Sequence, residues 1–144
     1  AGAAARAQVD EAVDFGRNLR AAVPDPLVAV HCELGRSRSS ALALALLADA
    51  LGPGGEGEAV RRVLRRDAEG TMAPNPLLVR LADAALWRYG ALEAALLDAS
   101  ASYVAARAHW QAVAADPDAA WAAMQARRRP RKVAPVPDAW DEPA

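Results

Sequence analysis

The chain is poor in groups that perform chemistry. It holds one cysteine, two histidines, one threonine and five serines in 144 residues. One cysteine cannot close an intramolecular disulfide, and a lone thiol suits a reducing compartment. Net charge is almost absent, because 17 basic and 18 acidic residues leave −1. That balance argues against a global field that would recruit nucleic acid or an anionic membrane. Long apolar runs are also missing. The longest, residues 41–48, stops at Asp49 and is far too short to span a bilayer. The first residues show no basic segment followed by an apolar stretch, the pattern of a secretory signal. No repeat of fixed period is visible. These absences lead us to expect a cytoplasmic protein with no nucleic-acid and no membrane partner. Nothing in them fixes an oligomeric state.

What is abundant is alanine, which carries most of the 53% hydrophobic content. Sixteen of the seventeen basic residues are arginine, a bias that codon composition explains as well as function does. Residues 5–22 place Val9, Ala12, Val13 and Leu19 at roughly helical spacing, and Pro24 and Pro26 end that helix. "LVAV", residues 27–30, follows a turn signal and has the length and β-branched content of a buried strand. "SALALALLADALG" is apolar on nearly all sides, which predicts a central helix stopped by Gly52, Pro53, Gly54 and Gly55. A second helix, about 58–67, sets Ala59, Val60, Val63 and Leu64 against an arginine face of Arg61, Arg62, Arg65 and Arg66. A solvated surface is the plain account of that face. "APNPLLVRLADAALWRYG" reads as a helix with Asn75 as N-cap, Pro76 at its first position and Gly90 at its end. One further helix is expected over about 91–115, then a short one through about Arg127. The residues from 128 on, rich in proline and arginine, read as an irregular tail.

The scarce groups are concentrated in one place. "AVHCELGRSRSS", residues 29–40, contains the only cysteine, one of the two histidines and three of the five serines. The order is apolar strand, His31, Cys32, five residues, Arg38, Ser39, then a buried helix. Backbone amides from Glu33 through Leu34, Gly35, Arg36 and Ser37 to Arg38 can curl inward and, with the helix N-terminus, form an anion site. A thiol at its base feels the same positive potential, so Cys32 is expected to ionise below the usual value of about 8.5. Arg38 offers a planar fork to a tetrahedral oxyanion. Ser39 can donate its hydroxyl proton to sulfur, and His31 orders the loop by hydrogen bonding. The implied chemistry is two-step phosphoryl transfer through Cys32, with Arg38 and Ser39 as catalytic partners. It calls for no metal and no cofactor, because amides and the guanidinium supply the positive charge.

"HCELGRSRS" resembles the His-Cys-x5-Arg-Ser/Thr signature of the protein tyrosine phosphatase superfamily. Its Gly-x-Ser-Arg-Ser ending is most similar to the dual-specificity branch, in its small bacterial form. "APNPLLVRLADAAL" is similar to a later helix of that branch. The resemblance spans about residues 8–98. It implies an α/β cysteine-phosphatase fold, here incomplete, with one strand leading into the catalytic loop and mostly helices after it. It also implies phosphorylated protein or a small phosphomonoester as substrate, and a loop-holding role for Asn75. On this reading residues 1–99 form the phosphatase-like domain, 100–127 a helical extension and 128–144 the tail. Rhodaneses also curl a loop around a cysteine, but their arginine usually stands five residues on, where this chain has Ser37.

The same resemblance raises two difficulties. The family's general acid is an aspartate about thirty residues before the cysteine, and Cys32 leaves no room for one. The family's earlier strands are missing too, so the chain is expected to begin partway into such a domain, as a fragment or as a divergent short protein. Asp10, Glu11, Asp67 and Glu69 are candidate substitutes for the acid, and the spacing singles out none. Three functions therefore compete: a cysteine phosphatase, a phosphate-binding module with little turnover, and a helical scaffold whose loop is a relic.

Overall fold

The computed structural model describes residues 5–127, which form seven helices: α1 (Arg6–Ala22), α2 (Arg38–Leu51), α3 (Glu56–Leu64), α4 (Pro76–Ala85), α5 (Ala91–Ala99), α6 (Ala101–Ala115) and α7 (Pro117–Arg127). The expected 128–144 tail lies outside the described residues. Two compact units divide between Gln111 and Ala112. The first holds the core and the cysteine loop. In the second, α7 buries none of its residues.

The α/β expectation is overturned: no strand forms among the described residues. Residues 26–32 carry no regular structure, and Leu27 is 98% exposed. The reason lies in how each structure closes its hydrogen bonds. A helix satisfies its amides within its own turn, whereas a strand needs a second segment beside it. The LVAV run has strand composition, but no described segment pairs with it.

The helices follow from their own stripes and caps. α1 buries Val9, Val13 and Gly16, spaced for one helical face. α2 touches α1, α3 and α4, so it is central as its composition predicts. Its inner residues Ala41, Leu44, Ala45 and Ala48 are at most 1% exposed. Arg17 and Arg20 of α1 both bind Asp49 of α2, the former at 2.8 Å. α4 begins as predicted, with the Asn75 side chain accepting the Leu78 N–H at 3.1 Å and Pro76 in the first turn.

Three boundaries differ from expectation. α4 ends at Ala85, and Gly90, expected at its end, is instead the N-cap of α5. α3 ends at Leu64, and Arg65 and Arg66 continue in a turn. The helix expected over 91–115 is two helices divided at Ser100, whose buried hydroxyl accepts the Tyr103 N–H at 3.1 Å. A serine that caps the next turn competes with continuing the helix through it.

Candidate active site

The cysteine loop, residues 32–37, joins the extended segment to α2. Arg38 is the first residue of α2, so the loop amides end in the helix N-terminus. The Cys32 sulfur lies 3.2 Å from the Ser39 hydroxyl oxygen, and Ser39 is buried. The Ser39 hydroxyl, joined by the backbone N–H groups of Ser39, Gly35 and Ser37, lowers the Cys32 thiol to about 6, against partial burial that pushes it up. A thiol held there is largely thiolate at neutral pH.

The orientation of those amides has a cause outside the loop. The Arg36 carbonyl accepts the Ala73 N–H at 3.0 Å and the Ser40 hydroxyl at 2.8 Å. The Ser37 carbonyl accepts the Asn75 N–H and the Ser40 hydroxyl, each at 3.0 Å. A trans peptide points its N–H opposite to its C=O. Drawing the Arg36 carbonyl outward therefore turns the Ser37 N–H inward, toward sulfur. The Ser37 carbonyl does the same for the Arg38 N–H. The segment before α4 and the buried Ser40 thus clamp the loop into an amide-lined cup. Ser40 was not among the residues singled out from sequence. Its one signal was to be the third serine in a serine-poor chain.

The other sequence candidates fall as follows. Gly35 adopts φ 71°, a left-handed conformation, and a Cβ there would meet nothing within 4 Å. Backbone conformation, not crowding, calls for glycine at this position. Leu34 and Arg36 are exposed. Glu33 extends its carboxylate to 3.5 Å from the Arg38 guanidinium, with both side chains mostly in solvent. His31 is exposed, and its ring makes no hydrogen bond among the described residues. Asn75 combines two contacts: its side chain caps α4 while its backbone N–H holds the loop.

None of the four acids offered as proton donors bonds to the loop among the described residues. Asp67 accepts the N–H groups of Thr71 and Met72 at 3.0 and 2.6 Å. Asp10 pairs with Arg6 at 2.9 Å. Glu11 and Glu69 are exposed. Among the described residues no group of three or more histidine, cysteine or acidic side chains is placed to hold a metal ion. No described helix is long and apolar enough to cross a membrane.

Comparison with protein-family models, curated proteins and solved structures returns no match. The site therefore has to be read from its own geometry.

Proposed function

We propose that this protein hydrolyses phosphate monoesters through a cysteinyl-phosphate intermediate, in the manner of the protein tyrosine and dual-specificity phosphatases that its loop resembles. The observation that carries the reading is the acidic Cys32 thiol, hydrogen-bonded to Ser39 within a cup of inward amides. The Cys32 thiolate attacks phosphorus, an S–P bond forms and the ester P–O bond breaks. The leaving oxygen takes a proton from solvent or from an acid. Water then attacks phosphorus and gives up a proton to solvent, the S–P bond breaks, inorganic phosphate leaves and the thiolate is restored. Loop amides and Arg38 offset charge on the equatorial oxygens, and the Ser39 hydroxyl eases departure of sulfur. Substrates of this class are a phosphorylated protein or a small phosphomonoester. A thiol that must stay reduced fits a cytoplasmic setting.

The expected outcome is turnover of an activated aryl phosphate that survives chelators, is lost on thiol oxidation and is abolished by Cys32→Ser. Activity persisting in that variant would refute Cys32 as the nucleophile. A positioned acid contributes about 10²–10⁴ in rate. Without one, phosphotyrosine, whose phenol has a pKa near 10, should turn over far more slowly than an activated ester.

A second reading rests on one observation: none of Asp10, Glu11, Asp67 and Glu69 bonds to the cysteine loop among the described residues, so none of the four stands ready to protonate a leaving group. On that reading the protein binds phosphate with little turnover. Phosphate or vanadate would bind without product release, and no radiolabelled phosphate would accumulate on Cys32.

A further inference from the structure

The arginine face of α3 reads from sequence as a solvated surface. Its surroundings in the fold give it a different neighbour. A cleft of about 860 Å³ is lined both by Gly35 and Ser39 of the cysteine loop and by Arg62, Arg65 and Arg66. Its apolar lining includes Leu27, Val30, Leu47 and Met72. Asp25 is the acidic residue that lines it.

The charge around this cleft is unbalanced. Glu58 is the carboxylate that Arg61, Arg62 and Arg65 share, at 2.9, 2.7 and 3.7 Å. Arg66 has no ion pair among the described residues. Asp67, next along the chain, is occupied by the backbone N–H groups of Thr71 and Met72. The turn after α3 holds the last two arginines in place, with the Arg65 N–H bonded to the Arg61 carbonyl at 3.0 Å and the Arg66 N–H to the Val63 carbonyl at 3.1 Å. Cations beside apolar walls in a cleft focus potential more strongly than on a convex surface. An anion entering here would meet three guanidinium groups, and guanidinium forks match carboxylate and phosphate geometry.

We propose that the substrate carries a second anionic group, joined to the reacting phosphate through an apolar body, and that Arg62, Arg65 and Arg66 receive that second group while the cysteine loop receives the first. This rests on the phosphomonoester reading of the loop and adds a substrate class to it. A phosphotyrosyl segment with acidic neighbours has this chemistry, and so does a small bisphosphate.

The test measures binding to the Cys32→Ser protein, which needs no turnover. Two probe pairs are compared: a phosphotyrosyl peptide with glutamate or glutamine flanks, and an alkyl bisphosphate against its monophosphate. The second anion should tighten binding about threefold to tenfold in at least one pair, with the advantage shrinking as salt rises. Arg65→Gln/Arg66→Gln should bring the ratio close to one. Arg80→Gln, at an exposed arginine of α4 outside the cleft lining, should leave the ratio as it was. An advantage in the peptide pair assigns the second anion to a peptide, and an advantage confined to the bisphosphate assigns it to a small molecule. Equal binding within both pairs, or a ratio untouched by the double substitution, overturns the proposal. Lack of thiol-dependent aryl phosphate turnover by the unaltered protein sinks the hydrolytic reading instead and leaves the binding ratios to decide this one.

Discussion

At the scale of single residues, Cys32 is governed by its immediate hydrogen bonds. The Ser39 hydroxyl is the largest influence that lowers its pKa. Alkylation by iodoacetamide across pH should therefore show a midpoint near about 6, and Ser39→Ala should raise it. Ser40→Ala should raise it by less, because the Arg36 and Ser37 carbonyls each lose one partner but keep the Ala73 and Asn75 N–H groups. The thiol also couples to stability. Its folded pKa is depressed, so its contribution is present above the unfolded thiol's value of about 8.5 and is lost as pH falls through the folded one. Urea midpoints should decline over that window, and Cys32→Ser should remove that part of the decline. Gly35→Ala forces a side chain into a left-handed backbone at φ 71°, at a cost of about 1–2 kcal/mol. The grouping of Cys32, Gly35 and Ser39 was legible because they lie within eight consecutive residues, whereas the Arg38 guanidinium contacts Glu33. Of the clamp, the resemblance implied only a loop-holding role for Asn75, and the part played by Ala73 and Ser40 was not legible, since the segment before α4 lies more than thirty residues from the loop.

At the scale of elements, helix ends decide more than helix interiors in an alanine-rich chain. Gly90, at φ 87°, turns the chain into α5. Asp83 of α4 then accepts the Leu92 and Glu93 N–H groups, both at 3.1 Å, and so caps α5 from a neighbouring helix. Asp83→Ala leaves buried donors unpaired and should destabilise by about 1–3 kcal/mol in urea unfolding, with Asp83→Asn losing less because one amide oxygen remains. Such a cap is invisible to periodicity, since its donor and acceptor belong to different helices. Periodicity did locate α1 and α2 to within a residue or two of their ends, and the start of α4, but it carried α4 on to Gly90, whereas that helix ends at Ala85. It missed the break at Ser100 because alanine on both sides supports a helix equally well. It also assigned a strand to residues 27–30 on composition, which describes what a segment favours and not whether a partner lies beside it.

At the scale of the whole molecule, one buried ion pair ties the elements around α2. Arg88, in the turn after α4, lies 3.3 Å from Glu56 at the start of α3 and donates to the Ala48 carbonyl of α2 at 3.1 Å. The pair is close, yet the Arg88 Nε–H is not aligned on the carboxylate and has no hydrogen-bond partner. Removing one member, by Glu56→Ala or Arg88→Leu, strands the other charge and should cost about 3–5 kcal/mol in chemical denaturation. Replacing both by leucine should recover most of that loss. The amino-acid sequence alone determined most of the helical segments, because their hydrogen bonds close within a few residues, and it gathered Cys32, Gly35 and Ser39 into one stretch before α2. Only the tertiary structure decided that the apolar run at 27–30 stays unpaired. It also decided that outward-drawn carbonyls hold the cup open, and that Arg62 of α3 and Arg65 and Arg66 of the turn after it border the same cleft as the cysteine loop. Each of these depends on contacts between distant parts of the chain, which local composition does not encode.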